Sequence, residues 1–490
     1  MLIWFLPVFL VFLMIGLPVF FALLAAPGIL LWLNGQERDL ALLYRNVYNG
    51  MDSFPLMALP FFLLAGELMN RGGITTRLVE FAQAFMGHLR GGLAHVNILS
   101  SILFAGLSGS AVADTSALGS TLIPAMEKNG YTRRFAAAVT AASSVIGPII
   151  PPSGIMIIYA YVMGQSVAAL FLAGIVPGIL VGVGLMLVVW RMADRYDLPK
   201  AERIVHANQE ISALEYWVSF VLLRLNLAGL LTALLSFTTP EFVSNWVNFA
   251  VALIVVHLSL MSYRKRVGRD FRLICKKAVA PLQTPIIILG GILIGVFTPT
   301  EAAAIAVAYA LVVSFLVLRS MRLGDLWPVL LRSAMASATV LLLVGAAVAF
   351  KTVVSLSHAP EIMADALLGL SENPLVLLFL INVLLFIVGM FMDAGPAIII
   401  LGPILGPVFT SLGVDPIHFA IIMSVNLTVG LATPPMGLVL FVASAVSGEK
   451  VERIARTILP FLAVEVLVIF LITYIPAISM TIPRLTGFAN

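Results

Sequence analysis

Charge is what this chain has least of. Only 11% of its 490 residues are charged, against about 25% in ordinary soluble domains. Together with a 61% hydrophobic content, that excludes a soluble globular protein. The chain reads as an all-α polytopic membrane protein, long enough for a dozen or more spans of about 20 residues. Cysteine is nearly absent. The single Cys275 excludes an internal disulfide and any cysteine-based metal site. The six histidines show no ligand spacing. The net charge of +4 is no nucleic-acid signal, because the basic residues sit between apolar runs. No basic n-region precedes the N-terminal apolar run, which is too long for a cleaved signal and is expected to be the first span.

What is present is a polar, glycine-rich interruption between Phe104 and Gly154. It reads Gly106-Leu107-Ser108-Gly109-Ser110-Ala111-Val112-Ala113-Asp114-Thr115, then Gly147-Pro148-Ile149-Ile150-Pro151-Pro152-Ser153-Gly154. Inside a bilayer, backbone leaves the helix only where protein or trapped water satisfies its amides. An unpaired carboxylate at that depth costs about 2.5–3.5 kcal/mol or more. The pattern occurs twice. An offset of 283 carries Pro151-Pro152 onto Pro434-Pro435, Gly106 onto Gly389, Gly147 onto Gly430 and Gly154 onto Gly437. The matches are backbone-special residues, so the two copies share bends rather than core packing. The acids do not superpose, because Ser110 falls on Asp393.

In order, residues 1–92 are expected to hold scaffold spans at 2–33 and 53–70, a polar loop at 34–52 and an amphipathic interfacial helix at 74–90. Residues 93–190 are expected to form the first of two repeated halves. It has a re-entrant hairpin at 93–127, a broken helix at 132–164 and a span at 166–190. Residues 191–277 hold a polar linker, two additional spans at 214–237 and 241–263 (Arg224 interrupting the first) and a basic loop at 264–277. Residues 278–373 bring spans at about 279–297, 301–318 and 333–352, then an amphipathic piece at 358–370. Residues 374–490 are expected to repeat that half, with a hairpin at 374–411, a broken helix at 416–446 and a last span at 457–482.

Six loops hold 23 of the 28 Lys and Arg residues, and they alternate consistently if all face the cytoplasm. The base of the first hairpin, Lys128 to Arg134, is then inside, and the uncharged base of the second is outside. The N-terminus is expected to be cytoplasmic and the C-terminus periplasmic. The halves are therefore expected to be inverted, the layout of secondary transporters that bind substrate and ions where broken helices meet.

The breaks carry the chemistry. A dehydrated Na⁺ takes hard oxygen ligands from carbonyls, hydroxyls and carboxylates. Candidates are Ser108, Ser110, Asp114, Ser143 and the Gly147 carbonyls in one half, and Asp393, Asn426, Thr428, Thr433 and the Gly430 carbonyls in the other. Ser144 is a further hydroxyl beside the first break. Pro151, Pro152 and Ser153, with Gly395, Pro434 and Pro435, line the helix starts. Their positive dipole ends suit an anionic substrate. No other cofactor is expected. Isolated Ser and Thr in membrane helices usually bond their own turn, and Glu67, Glu301 and Lys351 lie near span ends where they can snorkel.

Gly106 to Asp114, Ile149-Ile150-Pro151-Pro152-Ser153, Gly295 to Glu301, Gly389-Met390-Phe391-Met392-Asp393 and Ala432 to Gly437 together resemble the large membrane subunit of tripartite ATP-independent periplasmic (TRAP) transporters. The resemblance covers nearly the whole chain outside about 205–265. It implies a Na⁺-driven importer of small organic acids, such as C4-dicarboxylates or sugar acids, in a bacterial inner membrane. It implies as partners a small membrane subunit and a periplasmic binding protein, besides membrane lipid. It implies an elevator mechanism, with one Na⁺ at the Ser108–Asp114 tip and another at the Asp393 tip. Thr298, Thr300 and Glu301 match a scaffold motif of the family.

Two other classes compete. A related symporter would need no binding protein. An intramembrane protease would use Ser108 in Gly106-Leu107-Ser108-Gly109 with His95 as base, or Asp114 with Asp393. Neither protease version explains a second copy with its own break.

Overall fold

The computed structural model describes residues 4–33, 35, 37–195, 198–200, 211–236, 245–356, 371 and 373–489, with 362, 365 and 369. Among these residues the chain is helical, with only an isolated bridge between Arg90 and Lys200. Nine helices among the described residues are long and apolar enough to cross a membrane.

The first helices are α1 (Phe5–Met14), α2 (Val19–Leu33), α3 (Glu37–Met51), α4 (Ala58–Arg71) and α5 (Ile74–Met86). The first apolar run is therefore two helices, not one span. Gly16 takes a φ of +88° between them and Pro18 follows, so the helix cannot continue. The expected polar loop at 34–52 is largely α3. Its hydrophobic positions recur on one side, and Leu43 packs with Leu31, Ala349 and Val353. The chain then bends by 59° into the stretch Pro55–Arg71.

The first hairpin is α6 (Gly92–Ser108) and α7 (Ala111–Lys128), followed by α8 (Arg133–Ser144), α9 (Gly154–Met163) and α10 (Val167–Arg195). The next pair is α11 (Ala213–Ser236) and α12 (Asn245–Arg264). Next come α13 (Arg269–Leu293), α14 (Pro299–Val312) and α15 (Leu323–Leu356). Most of the expected basic loop at 264–277 is thus the opening of α13. The 358–370 piece lies almost wholly outside the described residues, as does 201–210. The second hairpin is α16 (Pro374–Phe391) and α17 (Ala394–Ser411), followed by α18 (Pro416–Gly430), α19 (Leu438–Ser447), α20 (Val451–Tyr474) and α21 (Ala477–Leu485). The expected last span at 457–482 is therefore interrupted at Ile475 and Pro476.

Adding 283 to the bounds of α6, α7, α8, α9 and α10 lands within a few residues of α16, α17, α18, α19 and α20. The packing follows the same correspondence. α7 lies on α19 and α17 lies on α9, while α8 lies on α20 and α18 on α10. Each stretch thus fills its partner's counterpart. α3 packs with α15, α4 with α14 and α15, and α14 with α13, and α13 also lies on α5. One buried apolar cluster runs through most of these helices, and a smaller one of Leu31, Leu43, Ala349 and Val353 seats α3.

Glycine sets the closest approach. A Cβ on Gly389 would stand 2.7 Å from the Leu427 carbonyl oxygen and 3.0 Å from Gly430 Cα. The hairpin arm and the broken helix meet backbone to backbone there, as small residues permit in membrane helices. Gly389→Val should force α16 off α18 and cost about 1–3 kcal/mol. The expected outcome is a lower thermal midpoint in detergent. An unchanged midpoint would contradict the contact.

Candidate functional site

The first hairpin turns at Gly109, whose φ of +60° only glycine takes without strain. A Cβ there would sit 2.7 Å from the Pro152 carbonyl oxygen, so the tip lies against the Pro151-Pro152 loop. Ser110 caps α7, its Oγ accepting from Ala113 N at 3.4 Å. Asp114 follows in the first turn and is fully buried. Ser108 Oγ donates to its Oδ1. Among the described residues its Oδ2 has no hydrogen-bond partner. That oxygen presses against Gly147, where any Cβ would collide with it. The helix between Ser144 and Gly154 is open there, so carbonyls of the break stand near a half-satisfied carboxylate. Ser153 caps α9 and its Oγ donates to the Pro148 carbonyl.

The second tip is built differently. Asp393 caps α17, its Oδ1 accepting from Ala394 N at 2.8 Å, and it is exposed. Ser110 and Asp393, superposed by the offset, thus do the same local job. The acids differ in place because Asp114 is one turn inside its helix. Across the second break, Gly437 N donates to the Thr433 carbonyl at 3.0 Å, and Thr433 Oγ1 donates to Val429 O at 2.9 Å. Thr428 Oγ1 donates to Ser424 O at 2.6 Å. The bonds Pro151–Pro152 and Pro434–Pro435 are cis.

Ser143 and Asn426 are engaged in joining helices. Ser101 Oγ donates to Ser143 Oγ at 2.9 Å, and Ser143 Oγ donates to Asn97 Oδ1 at 3.3 Å. In the second half Asn426 Nδ2 donates to Asn382 Oδ1 at 2.7 Å, and Asn382 Nδ2 donates to Thr473 Oγ1 at 3.1 Å. All of these residues are buried. In each half an asparagine on the first hairpin arm ties that arm to the broken helix. Asn426 Oδ1 has no partner among the described residues.

The two tips are not far apart along the fold. A Cβ on Gly395, in the first turn of α17, would stand 3.7 Å from Ile158 Cδ1. Ile158 is on α9, about one and a half helical turns, roughly 7.5 Å, beyond Ser153. The second tip therefore abuts the helix that starts at the first break.

The protease reading fails on geometry. His95 and Ser108 lie on one helix, α6. Thirteen residues of rise separate them by about 20 Å. The Thr298-Glu301 motif is a capping box. Thr298 Oγ1 accepts from Glu301 N at 3.3 Å and Glu301 Oε2 accepts from Thr298 N at 2.8 Å, fixing the start of α14. Thr300 Oγ1 donates to the Phe54 carbonyl at 3.2 Å. Glu67 pairs with Arg332 at 3.2 Å, and Lys351 Nζ donates to the Val162 carbonyl near the end of α9.

Residues 6–478 match the family model described as the tripartite ATP-independent periplasmic transporter, DctM component. The chain belongs to the DctM family. It is 36% identical to the isethionate TRAP transporter permease protein DctMQ of Oleidesulfovibrio alaskensis, over 96% of this chain and 65% of that one. It is also 36% identical to the C4-dicarboxylate TRAP transporter large permease protein DctM of Pseudomonas aeruginosa, over 94% of this chain and 93% of that protein. The crystal structure of the YdaH transporter of Alcanivorax borkumensis shares the fold, with a TM-score of 0.54 at 17% identity over 92% and 90% of the two chains. This DctM-family chain is thus a multi-pass membrane permease subunit and not an enzyme.

The sequence reading missed three things in this DctM-family site. Asn97 and Asn382 were buried in apolar runs and gave no local signal. Glu465 is fully buried in α20, and neither carboxylate oxygen has a partner among the described residues. Its signal was present, since it is the one acid in the middle of that apolar run. The paired asparagines allow a direct test. Replacing Asn382 and Asn426 by Ala, singly and together, should give a coupling energy of about 0.6–1.7 kcal/mol, as for other interhelical hydrogen bonds in membranes. Thermal unfolding of the four proteins measures it, and additive effects would contradict a direct bond.

Proposed function

We propose that this DctM-family chain is the large membrane subunit of a Na⁺-coupled importer of small organic anions in a bacterial inner membrane. The observation that carries the Na⁺ reading is Asp114. A buried carboxylate oxygen with no donor, pressed against an unwound glycine, is what a coupling cation would pair with. Asp114 supplies charge. Ser108 holds the other carboxylate oxygen in place, and Ser110 and Ser143 are the further hydroxyls of the proposed set. The carbonyls near Gly147 complete the set of hard oxygens. Asp393, Asn426, Thr428, Gly430 and Thr433 form the second cation region on the same reading, with Asn426 Oδ1 its free acceptor. Pro151, Pro152, Ser153, Gly395, Pro434 and Pro435 frame the helix starts that would receive the substrate's anionic group.

The substrate class follows from relatives whose names specify isethionate and C4-dicarboxylate. Both are small organic anions. The reciprocal packing of the two hairpins on the two broken helices supports an inverted pair of halves moving together. The helices α2 to α5 and α13 to α15 would then be the scaffold of an elevator. Lys and Arg placement supports a cytoplasmic N-terminus and a periplasmic C-terminus. A small membrane subunit and a periplasmic binding protein are the partners this reading requires.

Reconstituted uptake tests it. With the small subunit and the loaded binding protein present, uptake should depend on Na⁺ and saturate. Asp114→Asn should raise the Na⁺ concentration for half-maximal uptake about tenfold or more, equivalent to about 1.4 kcal/mol. An unaltered value removes Asp114 from the ion site. Uptake by this chain alone would show a self-sufficient symporter instead.

A further inference from the structure

The pair α11–α12 adds little to the core, and it exposes Trp217, Val221, Leu230, Val251, Ile254 and Leu258. Such a surface is covered by lipid in a membrane protein. One end of the pair is not apolar. Arg224 Nε donates to His257 Nδ1 at 3.1 Å, and Nη1 donates to the Phe220 carbonyl at 2.9 Å. Its guanidinium lies 3.4 Å from the centroid of the Phe220 ring. Residue 220 is one turn nearer the start of α11, so the side chain reaches back toward that end, as a snorkelling arginine does. One turn further, the Lys276 ammonium stands 3.3 Å over the Tyr216 ring. Arg264, the last residue of α12, is within electrostatic reach of the same tyrosine. The start of α11, the end of α12 and the opening turns of α13 therefore meet at one level.

Positive charge exceeds negative charge at that level. Glu215 is already paired with Arg77 of α5. Asp270 makes no ion pair among the described residues. Lys277 is 3% exposed. Arg272 Nε is buried and has no hydrogen-bond partner among the described residues. Fixed cations, an aromatic ring and an exposed apolar wall at one membrane-proximal level match the three parts of one molecule. Its phosphate would meet the cations, its glycerol ester zone Tyr216 and Trp217, and its acyl chains the α11–α12 face.

We propose that the cleft between the starts of α11 and α13 and the end of α12 binds the phosphate group of an anionic phospholipid from the surrounding bilayer. Arg264 and Lys276 hold the phosphate oxygens. Lys277 and Arg272 supply further positive charge from α13. Arg224 extends the positive lining one step deeper. The site is separate from the hairpin tips and does not depend on what they transport.

The test uses the full chain, purified in a zwitterionic detergent and titrated with cardiolipin, phosphatidylethanolamine or inorganic phosphate. Native mass spectrometry reads bound lipid, and thermal unfolding reads stabilisation. Cardiolipin should remain bound and raise the unfolding midpoint, with phosphatidylethanolamine about tenfold weaker and inorganic phosphate without effect. Arg264→Gln with Lys276→Gln should weaken cardiolipin about tenfold and leave phosphatidylethanolamine unchanged. Arg264→Gln alone, at an exposed position, should weaken cardiolipin about threefold and covers the case of a double variant that does not fold. Equal binding of both lipids overturns the proposal, as does unaltered cardiolipin binding in the variants. Inorganic phosphate binding as tightly as the lipid, or a co-purifying protein retained through these same cations, also overturns it.

Discussion

An apolar solvent leaves no free hydrogen bonds, and the fold answers to that constraint everywhere. Most helices satisfy it trivially. The two hairpin turns and two helix breaks do not, and each is sealed by its neighbours. Gly109 lies against Pro152, Gly389 against Gly430, and the hydroxyls of Ser153 and Thr433 bond carbonyls of their own breaks. At the first break, Asp114 leaves the sealing incomplete. One oxygen is held by Ser108 and the other has no donor. A group that costs several kcal/mol to bury unpaired is retained where a partner can reach it.

Much of this architecture was legible because glycine and proline act on their own backbone. A Gly-x-Ser-Gly turn or a Pro-Pro pair bends the chain whatever surrounds it, so both hairpins and both breaks could be placed to within a few residues. The break at Gly16 and Pro18 belongs to the same class but was hidden inside a continuous apolar run. α3 was read as a loop because its helical face is only partly apolar and is completed by α2 and α15. The site was legible to a similar degree. Ser108, Asp114 and Gly147 are brought together by the first hairpin and its break. Ser143 and Asn426 were chosen for their oxygen atoms, but Ser143 Oγ joins helices, while Asn426 joins them through Nδ2 and its Oδ1 has no partner among the described residues. Their partners Asn97 and Asn382 lie 46 and 44 residues away. No local pattern reports a pair at that separation.

The pair α11–α12 shows a different economy. It carries Arg224, His257 and Asn226 into an apolar hairpin, yet each polar group finds a partner. Arg224 meets His257, and Asn226 Nδ2 donates to Gln283 Oε1 at 2.6 Å on α13. With Arg77 and Glu215 joining α5 to α11, the pair is tied to α5 and α13 by polar contacts rather than by a large apolar interface. That explains how two helices so thinly packed hold a defined position.

The crossed seating of hairpins on broken helices has a consequence for biosynthesis. α9 ends at residue 163, but α17, which covers it, begins at residue 394. The ribosome must add some 230 residues before that groove can close. Until then the first half sits in the membrane with its central seam open and its buried acid exposed to whatever lies beside it. Insertion factors, or lipid itself, must shelter the seam during that interval. A premature stop anywhere before the second hairpin would leave an unfinished half-molecule for quality-control proteases to clear.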